Sequence, residues 1–185
     1  MVVWDSRDLT TGTEHVAGQR YSSSGSGTGP ELLPGTGAEL CREPAVASLP
    51  LGKLVIAFQC RPTKESPFTV RWYRFDASGS KLGGYAIPLG SEAGNAYADV
   101  AALPDGTFVL TWTRIQPDQT GDVIVQRFNS NGSPKGNEVM VNTFTQGNQD
   151  YSKVAALSNA RFVVVWESKD QDGSDFGVFA RVFDF

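Results

Sequence analysis

The stretches Val100-Ala101-Ala102-Leu103-Pro104-Asp105-Gly106-Thr107-Phe108-Val109-Leu110-Thr111-Trp112 and Val154-Ala155-Ala156-Leu157-Ser158-Asn159-Ala160-Arg161-Phe162-Val163-Val164-Val165-Trp166 are variants of one segment, set 54 residues apart. The same step carries Val46 to Val100 and Val154, Leu49 to Leu103 and Leu157, and Leu54 to Phe108 and Phe162. It also spaces the aromatic series Trp4, Phe58, Trp112 and Trp166. A period of this length marks an array of supersecondary units, none of which buries its apolar face alone.

Within the third repeat, Val100 to Leu103 reads as a short apolar strand. Pro104-Asp105-Gly106 supplies the fixed φ and the permissive glycine of a tight turn, and Phe108 to Thr113 is the next strand. A polar loop through Gly121 leads to a third strand, Val123 to Phe128, then a turn at Asn129-Ser130-Asn131-Gly132 and a fourth strand, Glu138 to Val141. The second repeat has the same four elements at Ala45 to Leu49, Leu54 to Gln59, Thr69 to Phe75 and Tyr85 to Leu89, with turns at Pro50-Leu51-Gly52 and Asp76-Ala77-Ser78-Gly79. Each repeat therefore predicts a four-stranded meander.

The second strand of the repeat is apolar on both faces, with Phe162, Val164 and Trp166 pointing one way and Val163 and Val165 the other. A strand of this kind needs cover on both sides, which stacked sheets provide. Aromatic and β-branched residues dominate the apolar runs and no 3.6-residue period appears, so no helix is expected. A β-trefoil has three repeats and a flat β-solenoid has shorter coils; the longer, nearly fourfold repeat favours neither. The expected fold is all-β, a β-propeller-like array of about four four-stranded antiparallel sheets in one domain, 1–185. It divides into a partial repeat (1–40), two repeats (41–94 and 95–147) and a second partial repeat (148–185).

Composition narrows the function. Hydrophobic residues make up 40% and charged residues 19%, with 20 glycines, a balance suited to turn-rich extracellular β proteins. The net charge of −4 and the lack of a basic cluster argue against nucleic acid. No apolar run approaches the ~18 residues that span a bilayer, so no membrane insertion is expected. Cys41 and Cys60 stand at the two ends of a segment read as one hairpin, placed either to form a disulfide or to act as small strand-end residues. A bridge would point to an oxidising compartment.

Four residues carry a binding expectation. Tyr97 and Tyr151 are one repeat apart, as are Asn95 and Gln149, so the fold presents an aromatic with a nearby amide twice. Stacking plus amide hydrogen bonds suits a glycan; packing residues recur just as faithfully, so a structural role is the other reading. Asp170, Asp172, Ser174 and Asp175 set alternating oxygens around Gly173, a pattern suited to Ca²⁺. A solvated turn uses the same residues, and no cofactor is required. The loops joining second and third strands, roughly Asp5 to Glu14, Cys60 to Pro67, Thr113 to Gly121 and Glu167 to Gly177, are expected on one rim. Asn131-Gly132-Ser133 fits a glycosylation sequon, and equally a hairpin tip. His15 is the only histidine and has no nucleophile at repeat-related spacing, so the inventory predicts a protein without a catalytic site.

Val141-Asn142-Thr143-Phe144-Thr145-Gln146-Gly147-Asn148-Gln149, with Val154 to Leu157 and Phe162 to Ser174, resembles the tandem repeats of about fifty residues in large secreted or surface-attached bacterial proteins of adhesin or haemolysin type. The fourth repeat matches best. The first two depart from the pattern, with Phe58 in place of tryptophan and no Asp-Gln-Asp-Gly loop. The resemblance implies an extracellular or cell-surface scaffold or adhesion module.

The chain enters the repeat in its second strand and leaves it in the third. Two readings follow: an excerpt of a longer repeat protein, or a subunit whose open sheet edges pair with another copy, giving an oligomer or filament. A glycan or surface partner completes the expected list.

Overall fold

An aspartate or asparagine followed two residues later by serine or threonine closes hairpin after hairpin. The Asp76 carboxylate accepts the backbone N–H of Ser78 at 2.9 Å, Asp105 that of Thr107 at 3.0 Å, Asp118 that of Thr120 at 3.0 Å and Asp172 that of Ser174 at 3.1 Å. The Asn131 amide oxygen accepts the Ser133 N–H at 2.9 Å. These Asx turns reverse the chain without help from distant residues.

A computed structural model describes residues 1–35, 39–89, 91, 93–158 and 161–184. Its strands, in chain order, are β1 (Val2–Arg7), β2 (Glu14–Tyr21), β3 (Gly27–Gly35), β4 (Leu40–Ser48), β5 (Leu54–Arg61), β6 (Thr69–Phe75), β7 (Lys81–Ala86), β8 (Gly94–Ala102), β9 (Phe108–Ile115), β10 (Gly121–Phe128), β11 (Val139–Met140), β12 (Gln149–Ala156), β13 (Phe162–Lys169) and β14 (Phe176–Phe183). They form four antiparallel meanders, β1-β2-β3, β4-β5-β6-β7, β8-β9-β10-β11 and β12-β13-β14. The expected all-β, propeller-like array is thus found, with three strands rather than four in the first and last sheets. Among the described residues the only helical turn is a 3₁₀ turn at Pro50–Gly52, where the exposed Leu51 takes φ 61°.

Three core clusters lie between successive sheets, one per junction. Sheet 1 gives Val16 and Leu32, and sheet 2 answers with Ile56, Phe58 and Phe75. On its other face sheet 2 gives Val55, Val70 and Trp72, met by Leu110, Trp112 and Ile124 of sheet 3. Sheet 3 then gives Val109, Val123 and Val125, met by Phe162, Val164 and Trp166 of sheet 4. Phe58, Trp112 and Trp166 of the 54-spaced series therefore each point toward the preceding sheet. Each junction removes two apolar faces from water at once, at roughly 25 cal/mol per Å² of apolar surface.

Three details differ from the sequence reading. Val163 and Val165 are only half-buried, because no described sheet covers that face of β13. The fourth strand of the second repeat runs Lys81–Ala86 rather than Tyr85 to Leu89; the turn at Asp76 to Gly79 feeds straight into an exposed edge strand that has no apolar alternation to mark it. The loops between second and third strands are also shorter than expected, since β1 continues to Arg7, β5 to Arg61, β9 to Ile115 and β13 to Lys169.

The first strands β4, β8 and β12 adjoin one another in series, and β1 adjoins β4. These four form the inner edge of the array.

Candidate ligand-binding cleft

Each first strand breaks register once, at the same place in the repeat: between Arg42 and Ala45 in β4, Ala96 and Asp99 in β8, and Asp150 and Lys153 in β12. Within each irregularity one residue takes a left-handed backbone, Glu43 at φ 55°, Tyr97 at φ 55° and Tyr151 at φ 50°. The three are 54 residues apart, and none is a glycine. A non-glycine residue held there costs roughly 1 kcal/mol or more and persists only where its surroundings impose it. β-Bulges re-aim side chains, and here all three re-aimed residues line one cleft of about 520 Å³. Trp4 and Asp5 from β1, and Ser152 and Lys153 from β12, join them in its wall.

Links between neighbouring sheets hold the bulges in place. The Tyr97 N–H donates to the Gln59 side-chain oxygen at 2.8 Å, and the Val154 N–H donates to the Asp99 carboxylate at 2.9 Å. The Thr111 and Ser152 hydroxyls meet at 3.0 Å in the core. The cleft is therefore built on rigid strands rather than on loops, an arrangement that preorganises a site.

Tyr97 and Tyr151 lie against each other with ring centroids 4.3 Å apart at 38°, and the Tyr151 hydroxyl donates to that of Tyr97 at 3.4 Å. The hydrogen bond with Tyr151, followed by burial, pushes the Tyr97 phenol up to about 12. It stays neutral at physiological pH and keeps its hydrogen-bonding capacity. Burial raises the Glu43 carboxyl; Arg42 opposes the shift, and Asp5 adds to it. Next to Tyr151, burial and then the Glu167 charge raise the Asp150 carboxyl to about 6; Glu167 faces it across β12 and β13.

The structure separates the four residues expected to bind a ligand. Tyr97 and Tyr151 line the cleft, whereas Asn95 and Gln149 are buried in the strands before the bulges. The Asn95 amide nitrogen reaches the Pro88 carbonyl at 3.4 Å, and that of Gln149 reaches the Gln146 carbonyl at 3.1 Å. Glu43 was missed by the sequence reading, although the 54-residue step from Tyr97 points to it. Asp5 and Lys153 carried no such signal and are placed only by the convergence of β1 and β12.

In the Asp170 to Asp175 turn, the Asp172 carboxylate takes both the N–H and the hydroxyl of Ser174, while the Asp170 N–H donates to the Asp175 carbonyl. The hydrogen bond from the Ser174 backbone lowers the Asp172 carboxyl. Among the described residues, the group of potential metal ligands that converges is Glu39 with Cys41 and Cys60. Those two cysteines oppose each other across β4 and β5 and are joined in a disulfide, so their sulfurs are not available as thiolates. At Asn131 the sequon lies on a hairpin tip, with the Ser133 hydroxyl donating to the Asn131 side chain at 2.7 Å.

No family model and no curated protein matches the chain. Among solved structures, it is similar to the Hadza microbial sialidase Hz136 at 16% identity and a TM-score of 0.67, covering 97% of this chain and 41% of that one. A protein of unknown function from Dyadobacter fermentans DSM 18053 matches at 14% identity and TM-score 0.62, over 97% of this chain and 49% of the other. An endo-arabinase from Bacteroides thetaiotaomicron VPI-5482 matches at 12% identity and TM-score 0.53, over 94% and 66%. The chain thus spans less than two thirds of the length of each protein, and what it shares with them is the propeller-type fold.

Proposed function

We propose that the chain is a non-catalytic, adhesive repeat module that holds a carbohydrate in the cleft at the inner edge of its four sheets. The observation that carries this reading is the tyrosine pair, raised on two equivalent bulges into a cleft of about 520 Å³. A sugar presents an apolar C–H face and a rim of hydroxyls. Tyr97, Tyr151 and Trp4 offer surfaces for the first; Asp5, Glu43, Ser152 and Lys153 offer acceptors and donors for the second. The backbone strain at Tyr97 and Tyr151 supports the same reading, because strained residues gather at ligand sites. A sialidase and an endo-arabinase, two enzymes named for carbohydrate substrates, share the fold. The disulfide supports export to an oxidising compartment, in keeping with an extracellular or cell-surface location. The test is a glycan array probed with the wild type and with Tyr97→Ala and Tyr151→Ala. Binding by the wild type that disappears in both variants, with unchanged far-ultraviolet circular dichroism, supports the reading; an array without a hit, or variants that bind as the wild type does, removes it.

A second reading, glycoside hydrolysis, has one observation in its favour. Asp150 and Glu43 both hold their protons to higher pH than ordinary carboxyls do, as a general acid must. Turnover of a glycan found on the array, abolished by Asp150→Asn or Glu43→Gln, would replace binding by hydrolysis.

A further inference from the structure

Two residues before each cleft tyrosine, the junctions between sheets hold polar side chains that the core has to satisfy. Gln59 of sheet 2 and Asn95 of sheet 3 share one junction; 54 residues on, Thr113 of sheet 3 and Gln149 of sheet 4 share the next. All four are at most 1% exposed. Each has one atom without a hydrogen-bond partner among the described residues: Gln59 Nε2, Asn95 Oδ1, Thr113 Oγ1 and Gln149 Oε1. The other atom of each amide fixes which way it points. Gln59 Oε1 accepts the Tyr97 N–H at 2.8 Å, Asn95 Nδ2 donates to the Pro88 carbonyl at 3.4 Å, and Gln149 Nε2 donates to the Gln146 carbonyl at 3.1 Å. The unmatched atoms are therefore a donor and an acceptor between sheets 2 and 3, and a hydroxyl and an acceptor between sheets 3 and 4.

Buried polar atoms are almost always hydrogen-bonded, and where protein atoms do not reach one another an ordered water does. Here the unmatched atoms come in complementary pairs, and the pairs recur with the repeat. The second junction also has room. Gly121 has no left-handed φ to call for glycine, yet a Cβ there would stand 2.8 Å from Thr113 Cγ2 and 3.0 Å from the Gln149 carbonyl oxygen. The two junctions differ in reach. Gln59 crosses to the Tyr97 N–H directly, whereas Thr113, its equivalent on the side of Tyr151, has a side chain two bonds shorter. The shortfall is close to the length of one O–H···O hydrogen bond, ~2.8 Å.

We infer that one ordered water molecule is built into each of these junctions, and that the water between sheets 3 and 4 positions Tyr151. Between sheets 2 and 3 the water accepts a hydrogen from Gln59 Nε2 and donates to Asn95 Oδ1. Between sheets 3 and 4 it donates to Gln149 Oε1, bonds the Thr113 hydroxyl and accepts the Tyr151 N–H, so that it does for Tyr151 what the longer Gln59 side chain does for Tyr97. About three hydrogen bonds are the usual complement of a buried water. Thr113 is thus a positioning residue of the tyrosine pair, acting through the water rather than on a ligand. The inference stands apart from carbohydrate binding, because the water belongs to the free protein.

Nuclear magnetic resonance of the full chain without ligand tests it. Magnetisation transfer from a long-lived water is expected at the Gln59 side-chain amide and at the Tyr151 backbone amide. Thr113→Val keeps the shape of the side chain and removes the hydroxyl; hydrogen exchange at the Tyr151 amide should quicken roughly tenfold, as for the loss of one hydrogen bond, while that at the Tyr97 amide stays as it was. Thr113→Ser, which keeps the hydroxyl, should retain the wild-type rate. A wild-type spectrum without these water contacts overturns the inference. So does a Thr113→Val variant more stable than the wild type in urea, the mark of a buried hydroxyl with no partner to lose, or one that quickens exchange at both tyrosines alike, the mark of general loosening.

Discussion

Truncating Trp112 to alanine and truncating Trp4 to alanine remove the same side chain from the same place in the repeat, and the structure assigns them different costs. Trp112 is 0% exposed, in the cluster that joins sheets 2 and 3 with Val55, Trp72, Val100 and Ile124. Cutting it back leaves a void that strands on two sheets cannot collapse into, so the loss is the transfer term plus the cavity term, about 3–5 kcal/mol. Trp4 is half-buried on a face with no described sheet in front of it. Water replaces its ring there, no cavity forms, and about half of the usual burial contribution is at stake, roughly 1 kcal/mol. Trp166, 6% exposed at the junction of sheets 3 and 4, belongs with Trp112. The assay is urea unfolding followed by far-ultraviolet circular dichroism. Equal losses at positions 4 and 112, or a loss at position 112 within about 1 kcal/mol of zero, would refute the reasoning, because the cost would then not depend on the preceding sheet.

Three further outcomes are expected. At the strained bulge, Tyr97→Gly should be more stable than Tyr97→Ala by about 1 kcal/mol, since both remove the ring but only glycine is at ease at φ 55°; an alanine variant of equal or greater stability argues against the strain. Replacing Cys41 and Cys60 by alanine opens a loop closed over a separation of 19 residues and should lower stability by about 3 kcal/mol in denaturant unfolding; an unchanged midpoint would mean that the bridge constrains nothing. Because burial raises Asp150 to about 6 from an ordinary 3.8, the folded state binds more protons than the unfolded state between those values. The contribution of Asp150 to stability should therefore fall as pH rises through that window, with the loss complete above about 6, and it is read as the difference between the wild-type and Asp150→Asn profiles; a difference that rises through the same window contradicts the assignment.

The repeat made much of this fold legible, and its limits are physical. Thr69 to Phe75 was expected as a strand and is β6 residue for residue, because Val70, Trp72 and Tyr73 sit between clear turn signals. The 54-spaced aromatics located the inter-sheet junctions, since the same packing problem recurs at each. The inner parts of the first strands, Leu40 to Arg42, Gly94 to Ala96 and Gln149 to Asp150, were not seen. A bulge breaks the period-two alternation that would mark them, and Asn95 and Gln149 look like loop residues although they are buried. The same bulges form the cleft. Tyr97 and Tyr151 were singled out by their spacing alone; their ring contact depends on how two sheets stack, and Asp5 joins them only through the approach of β1 to β4, which no local pattern encodes.

Tyr97 and Tyr151 together carry the proposed carbohydrate site. Nuclear magnetic resonance of protein labelled in its tyrosine rings, titrated with the best glycan from the array, tests this directly. Of the five tyrosines, Tyr97 and Tyr151 should shift together and saturably, while Tyr21, Tyr73 and Tyr85 stay in place. Shifts confined to those three, or a spectrum unmoved by saturating glycan, would contradict it.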